Sequence, residues 1–193
     1  DCSGTPASTQ SNVPLVNGSA ESSDFTPATE GTYSYKAHYD GDNSYPQADD
    51  DACEVIYIAK ANAVTEIHDS GHNPVLTVGV GTTVHDQVTI TKTALTPSNA
   101  PAPGGTVTFN WFTNGTCAST PAASSGALPV PANGVVDATT FTQTPNSAGA
   151  YAFNATYNGD ASYPAVTSAC EPLTVVNAKI SLTPATDTNE VND

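Results

Sequence analysis

One eight-residue motif occurs twice in this chain, and its recurrence limits the fold more than any other feature. Tyr39-Asp40-Gly41-Asp42-Asn43-Ser44-Tyr45-Pro46 returns, with two changes, as Tyr157-Asn158-Gly159-Asp160-Ala161-Ser162-Tyr163-Pro164. Ala52-Cys53-Glu54 returns as Ala169-Cys170-Glu171, Cys2 as Cys117, and Asn62-Ala63 as Asn177-Ala178. The offset is about 116 residues and drifts by a few, as loop insertions between copies produce. That period is too long for a solenoid unit and right for a whole β-sandwich domain. The phase predicts one complete copy over residues 62–177. Residues 1–61 correspond to the second half of a copy, and residues 178–193 read as the start of the next copy, a linker or a donor strand. The chain is expected to be a window on a longer array. A tail of 16 residues could donate one strand to a neighbour, but not half a sandwich.

The repeat also chooses the disulfides. Four cysteines allow three pairings. Cys2 and Cys53 are 51 residues apart, and Cys117 and Cys170 are 53 apart. Equivalent positions should pair alike, giving Cys2–Cys53 and Cys117–Cys170, one bridge per domain. Closing a loop of this size contributes about 4 kcal/mol in the chain-entropy model. Such bridges persist in oxidising compartments, which points to an extracellular or cell-surface protein. No Cys-x-x-Cys spacing supports a four-cysteine metal site.

Strand periodicity runs through the complete copy. Val84, Val88 and Ile90 share one face of Thr83–Ile90, with Asp86 on the same parity. Val107, Phe109 and Trp111 share a face, as do Tyr151, Phe153, Ala155 and Tyr157, with Ala152, Asn154 and Thr156 opposite. Leu173 and Val175 form a last strand. Tyr33, Tyr35, Ala37 and Tyr39 repeat the pattern in the half-copy. Turn clusters such as Asn133-Gly134 separate the runs. The aromatic residues of the complete copy are expected in the core. The chain is therefore expected to be all-β, with each strand burying one side in a pair of packed sheets.

Pro103-Gly104-Gly105-Thr106-Val107-Thr108-Phe109, Asn133-Gly134 and Ala148-Gly149-Ala150-Tyr151, followed by Ala155-Thr156-Tyr157-Asn158-Gly159-Asp160, resemble the bacterial Ig-like repeat domains of large surface proteins. The half-copy shares the resemblance through Tyr39-Asp40-Gly41-Asp42. It implies tandem immunoglobulin-like β-sandwiches that act as stalks, spacers or adhesive modules. The cysteine pair is a departure from that pattern. A fold-level resemblance carries little about any particular ligand.

With 19 acidic and 4 basic residues the net charge is −15, which repels nucleic acid and anionic membrane surfaces. No apolar run approaches the ~20 residues needed to span a bilayer.

Few constellations point to chemistry. His68-Asp69-Ser70-Gly71-His72 and His85-Asp86 could contribute to a metal site. Gly71 and Pro74 argue against the helix that would align the first pair, so structural His–Asp hydrogen bonds are expected instead. Asp86, on an apolar parity, needs a partner. A Lys-to-acid crosslink is disfavoured because Lys36, Lys60, Lys92 and Lys179 fall on an outward face, at strand ends or in linkers. Asp40, Asp42, Asp49, Asp50 and Asp51 form an acidic loop with hard oxygen ligands that could hold calcium as a cofactor. A solvated turn is the preferred reading there. Asn17, Asn114 and Asn154 begin glycosylation sequons and are expected in turns or facing outward. Tyr45 and Tyr163, each beside Pro, are the expected exposed aromatics. No nucleophile elbow, zinc-protease motif or phosphate loop is present. The expected role is thus a non-catalytic structural unit of an extracellular fibre, stalk or filament, with neighbouring copies as partners. An adhesin or glycan-binding module is the alternative.

Overall fold

The computed structural model describes residues 2–178. The expected opening of a further copy therefore falls, beyond Ala178, outside the described residues. The described chain is all-β, without a helix, so nothing in it is a helix long and apolar enough to cross a membrane. In chain order the strands are β1 (Gly31–Tyr35), β2 (His38–Tyr39), β3 (Ala48–Asp49), β4 (Glu54–Ile58), β5 (Ala61–Asp69), β6 (Thr77–Gly79) and β7 (Val84–Lys92). They continue with β8 (Thr106–Phe112), β9 (Ala123–Ser124), β10 (Leu128–Pro129), β11 (Val135–Asp137), β12 (Gly149–Tyr157), β13 (Val166–Thr167) and β14 (Glu171–Val176).

Two larger sheets make the main body. One runs β10-β8-β12-β14-β6, with β9 on β8 and β13 on β12. Its pairings are antiparallel except β14 with β6. The other runs β11-β7-β5, all antiparallel. Alternation in β7 and β8 sends Val88 and Ile90 toward Val107 and Phe109, and with Ala155, Tyr157 and Tyr163 they form one buried cluster. Ile67 and Val84 meet Trp111, Phe153, Leu173 and Val175 in a second. Trp111 stacks flat on Tyr151 at 5.2 Å and tilts against Phe153 at 4.6 Å. In β7, β8, β12 and β14 the expected inward residues are buried, with Tyr151 half-buried, whereas Tyr35 and Ala37, expected inward in the first strands, are exposed. Ala152, on the outward parity, is fully buried; it lies cross-strand from buried Phe112.

The remaining pairs, β1-β4 and β2-β3, repeat the register of the larger sheet. Gly31 faces Ile58 as Gly149 faces Val175, and Tyr33 faces Ile56 as Tyr151 faces Leu173. Tyr39 faces Ala48 as Tyr157 faces Val166. Two disulfides, Cys2–Cys53 and Cys117–Cys170, both have Cα–Cα distances of 5.7 Å. They fit an oxidising environment.

Candidate metal centre

In an antiparallel pair, residues directly opposite each other project to the same face. His68 of β5 lies directly opposite His85 of β7. Their neighbours Ile67 and Asp86 point inward, so the two imidazoles project from the outer face of the three-stranded sheet. They are nevertheless only 5% and 3% exposed. The chain after β5 covers them: His68 bridges to Pro74, and the His72 ring sits 5.0 Å from that of His85.

Asp69 shapes this turn. Its Oδ1 accepts hydrogen bonds from the Gly71 amide at 2.8 Å and the Asn73 amide at 3.0 Å, and Asn73 Nδ2 also donates to it. The Asn73 contacts, backbone before side chain, hold the Asp69 carboxyl below its usual range. His72 takes a left-handed backbone, φ 60°, uncommon outside glycine. The turn thus spends backbone strain on aiming one imidazole at two others.

Asp137 closes the group from the third strand. Gly134, at φ +74°, is where a Cβ would stand 2.3 Å from the Ile90 carbonyl oxygen, so only glycine fits. Ile90 N donates to the Gly134 carbonyl at 2.8 Å, and β11 then pairs with β7 so that Asp137 faces Gln87. Gln87 shares the outer face with His85, and so does Asp137. Asp137 Oδ1 lies 2.9 Å from His85 Nε2, and Oδ2 lies 3.0 Å from His72 Nδ1.

Ligand atoms from His68, His72, His85 and Asp137 all lie within 4.8 Å of one another. Among the described residues no other group of three or more His, Cys, Asp or Glu converges in this way. Buried His68 Nδ1 makes no hydrogen bond, and buried His85 Nε2 and Asp137 Oδ1 meet only each other, at 2.9 Å. Glu66 Oε2, 3.1 Å from His68 Nε2, holds the other nitrogen of that ring. Burial pushes the His85 imidazole below its usual pKa against the pull of Asp137, and the charges of His72 and His68 push it the same way as burial. Its neutral form, the one that binds metals, is thereby favoured. Three imidazoles and one carboxylate suit a first-row transition ion better than calcium, which takes oxygen donors.

The residues singled out from sequence fall in various places. His68, His72 and His85 come together, but the acid that joins them is Asp137, which no sequence signal marked. Asp86 faces the interior, as its apolar parity predicts. Burial first, then the charge of Glu171, pushes its carboxyl well above the usual range. Glu171 Oε1 accepts from the Ile67 amide at 3.0 Å, tying one sheet to the other. Lys92 donates to the carbonyls of Ser98 and Ala100, and Lys36 and Lys60 are exposed. Lys179 lies outside the described residues.

The acidic loop does not converge. Asp42 Oδ1 accepts from the amides of Ser44 and Tyr45, and Asp50 Oδ1 from that of Ala52. Asp40 and Asp49 flank His38 at 3.4 and 2.9 Å, while Asp51 is exposed. Of the sequons, Asn17 is exposed in a turn. Asn114 is half-buried, and its Nδ2 donates to the Ala118 carbonyl. Asn154 keeps its outward parity between buried Phe153 and Ala155, half-buried, and its Oδ1 accepts from Asn110 Nδ2 in mid-sheet. Tyr163 corrects an expectation. It is 1% exposed, with its hydroxyl donating to the Pro101 carbonyl at 2.5 Å, whereas Tyr45 is 67% exposed.

No protein-family model and no curated protein matches this chain.

Proposed function

We propose that this chain is a structural segment of an extracellular array of immunoglobulin-like repeats, serving a stalk, fibre or surface filament rather than catalysis. The carrying observation is that 31–58 and 149–175 share strand register, disulfide position and a tyrosine contact. Tyr33 OH donates to the Thr29 carbonyl and Tyr151 OH to that of Ser147, each four residues upstream. A tyrosine hydroxyl bonded back to the backbone at such a corner is a feature of immunoglobulin sandwiches. The proposed units are residues 1–61 as the second half of one copy, 62–177 as a complete copy and 178–193 as the start of the next. In the half-copy the face that should be core is open, with Tyr35, Ala37 and Tyr45 exposed. A segment like 63–112 of a neighbouring copy would close it. A glycan-binding role draws on exposed Tyr45, which this reading assigns to that closed face.

The test is the shape of longer chains. Two, four and six tandem copies examined by small-angle scattering should give rods of constant cross-section whose length grows linearly with copy number. Compact particles, or beads with no fixed spacing, would overturn the proposal.

A further inference from the structure

We propose that His68, His72, His85 and Asp137 bind one zinc ion and that it clamps β5, β7, β11 and the turn after β5 together.

The argument begins with what the fold leaves unpaired. A buried polar atom without a partner costs about 1–3 kcal/mol, and native proteins leave few of them. Here His68 Nδ1 is one, and in the same four-residue cluster His85 Nε2 and Asp137 Oδ1 have only each other, 2.9 Å apart. One cation at the centre of that cluster satisfies all three together. Tetrahedral zinc with bonds of about 2.0–2.1 Å has donor–donor edges of about 3.3 Å. The separations here run from 2.9 Å to at most 4.8 Å, so the widest gap must close by about 1.5 Å to reach that geometry, a shift within side-chain reach.

The surroundings match a built site. Glu66 holds the outward nitrogen of His68, as carboxylates hold the second nitrogen of zinc-bound histidines. Asp69 fixes the turn that presents His72 without joining the cluster. Buried His68 and His85 form the floor, and exposed His72 leaves an entry path from solvent. All four positions come from protein, which is the closed arrangement of a structural site. Imidazole also accepts copper and nickel, but a set of three imidazoles and one carboxylate, all from protein, matches the donors of a four-coordinate zinc site.

The test uses the tag-free 193-residue chain, stripped with EDTA and titrated with zinc chloride by calorimetry. One zinc per chain should bind, and the melting temperature should rise with zinc concentration. Cobalt(II) should give the intense visible absorption of a tetrahedral site. His72→Ala, at an exposed turn position where folding should survive, and Asp137→Asn should each weaken binding more than about 100-fold, and Glu66→Gln about 10-fold. His38→Ala, which removes the histidine flanked by Asp40 and Asp49, should change nothing. The proposal is overturned if the folded wild-type chain takes up no stoichiometric zinc. It is equally overturned if His72→Ala and Asp137→Asn bind as tightly as wild type, or if His38→Ala abolishes binding.

Discussion

Phe153 and Tyr35 hold the same place in two copies of one pattern, with different surroundings. Phe153 is fully buried against Trp111 and Phe141, whereas Tyr35 is 38% exposed. The same contrast runs through the eight-residue motif. Asp160 accepts from the amides of Ser162 and Tyr163, as Asp42 does from those of Ser44 and Tyr45. Only Asp160 gains a third amide, from Gly104 at 2.7 Å. Only the second copy has β8, and with it Asn158 Nδ2 donating to the hydroxyls of Thr106 and Thr108. Local sequence thus suffices for the turn, the strand pair and the tyrosine hydroxyl's bond to the carbonyl four residues upstream. Burial needs the opposing sheet, without which a two-stranded ribbon is marginal in water.

Truncating the two aromatics gives the sharpest test of that contrast. Phe153→Ala should destabilise the main unfolding transition by about 3–5 kcal/mol. Tyr35→Ala should leave its denaturation midpoint unchanged. Equal losses would show that the half-copy has a core of its own.

Removing the bridges comes next. Replacing Cys117 and Cys170 by Ala should cost the main transition about 2–5 kcal/mol. Replacing Cys2 and Cys53 should leave that transition in place and abolish amide-exchange protection in β1 and β4 alone.

The smallest effect concerns pH. Burial alone would raise the Asp160 carboxyl, but the amides of Gly104, Ser162 and Tyr163 hold it below its usual value of 3.8. A depressed folded pKa means that the stabilisation is fully present above 3.8 and is lost as pH falls through the lower folded value. Asp160→Asn should therefore cost about 1 kcal/mol at pH 7, a figure discounted for solvent exposure. The difference from wild type should vanish in strong acid. Asp42→Asn should show a weaker dependence of the same sign, because Asp42 binds two amides.

Much of the fold was legible because strand alternation and turn residues act locally. The parity of Val84, Val88 and Ile90, or of Val107, Phe109 and Trp111, can be read without knowing what each strand meets. The repeat indicated how the cysteines join. Tyr163 shows the limit of this reading. Its motif is nearly that of Tyr45, and its burial comes from a cluster with Val88, Ile90, Val107 and Phe109, residues far away in sequence.

The candidate metal centre divides along the same line. Sequence alone determined that His68, His72 and His85 were available near a turn, that strands flank them, and that the surface is strongly acidic. Tertiary structure decided that His68 faces His85, that a left-handed His72 folds over them, and that β11 lies beside β7 and brings in Asp137. The reason is physical: periodicity fixes which side of a strand a residue takes, whereas strand order depends on which pairing buries the apolar faces of the whole chain at once.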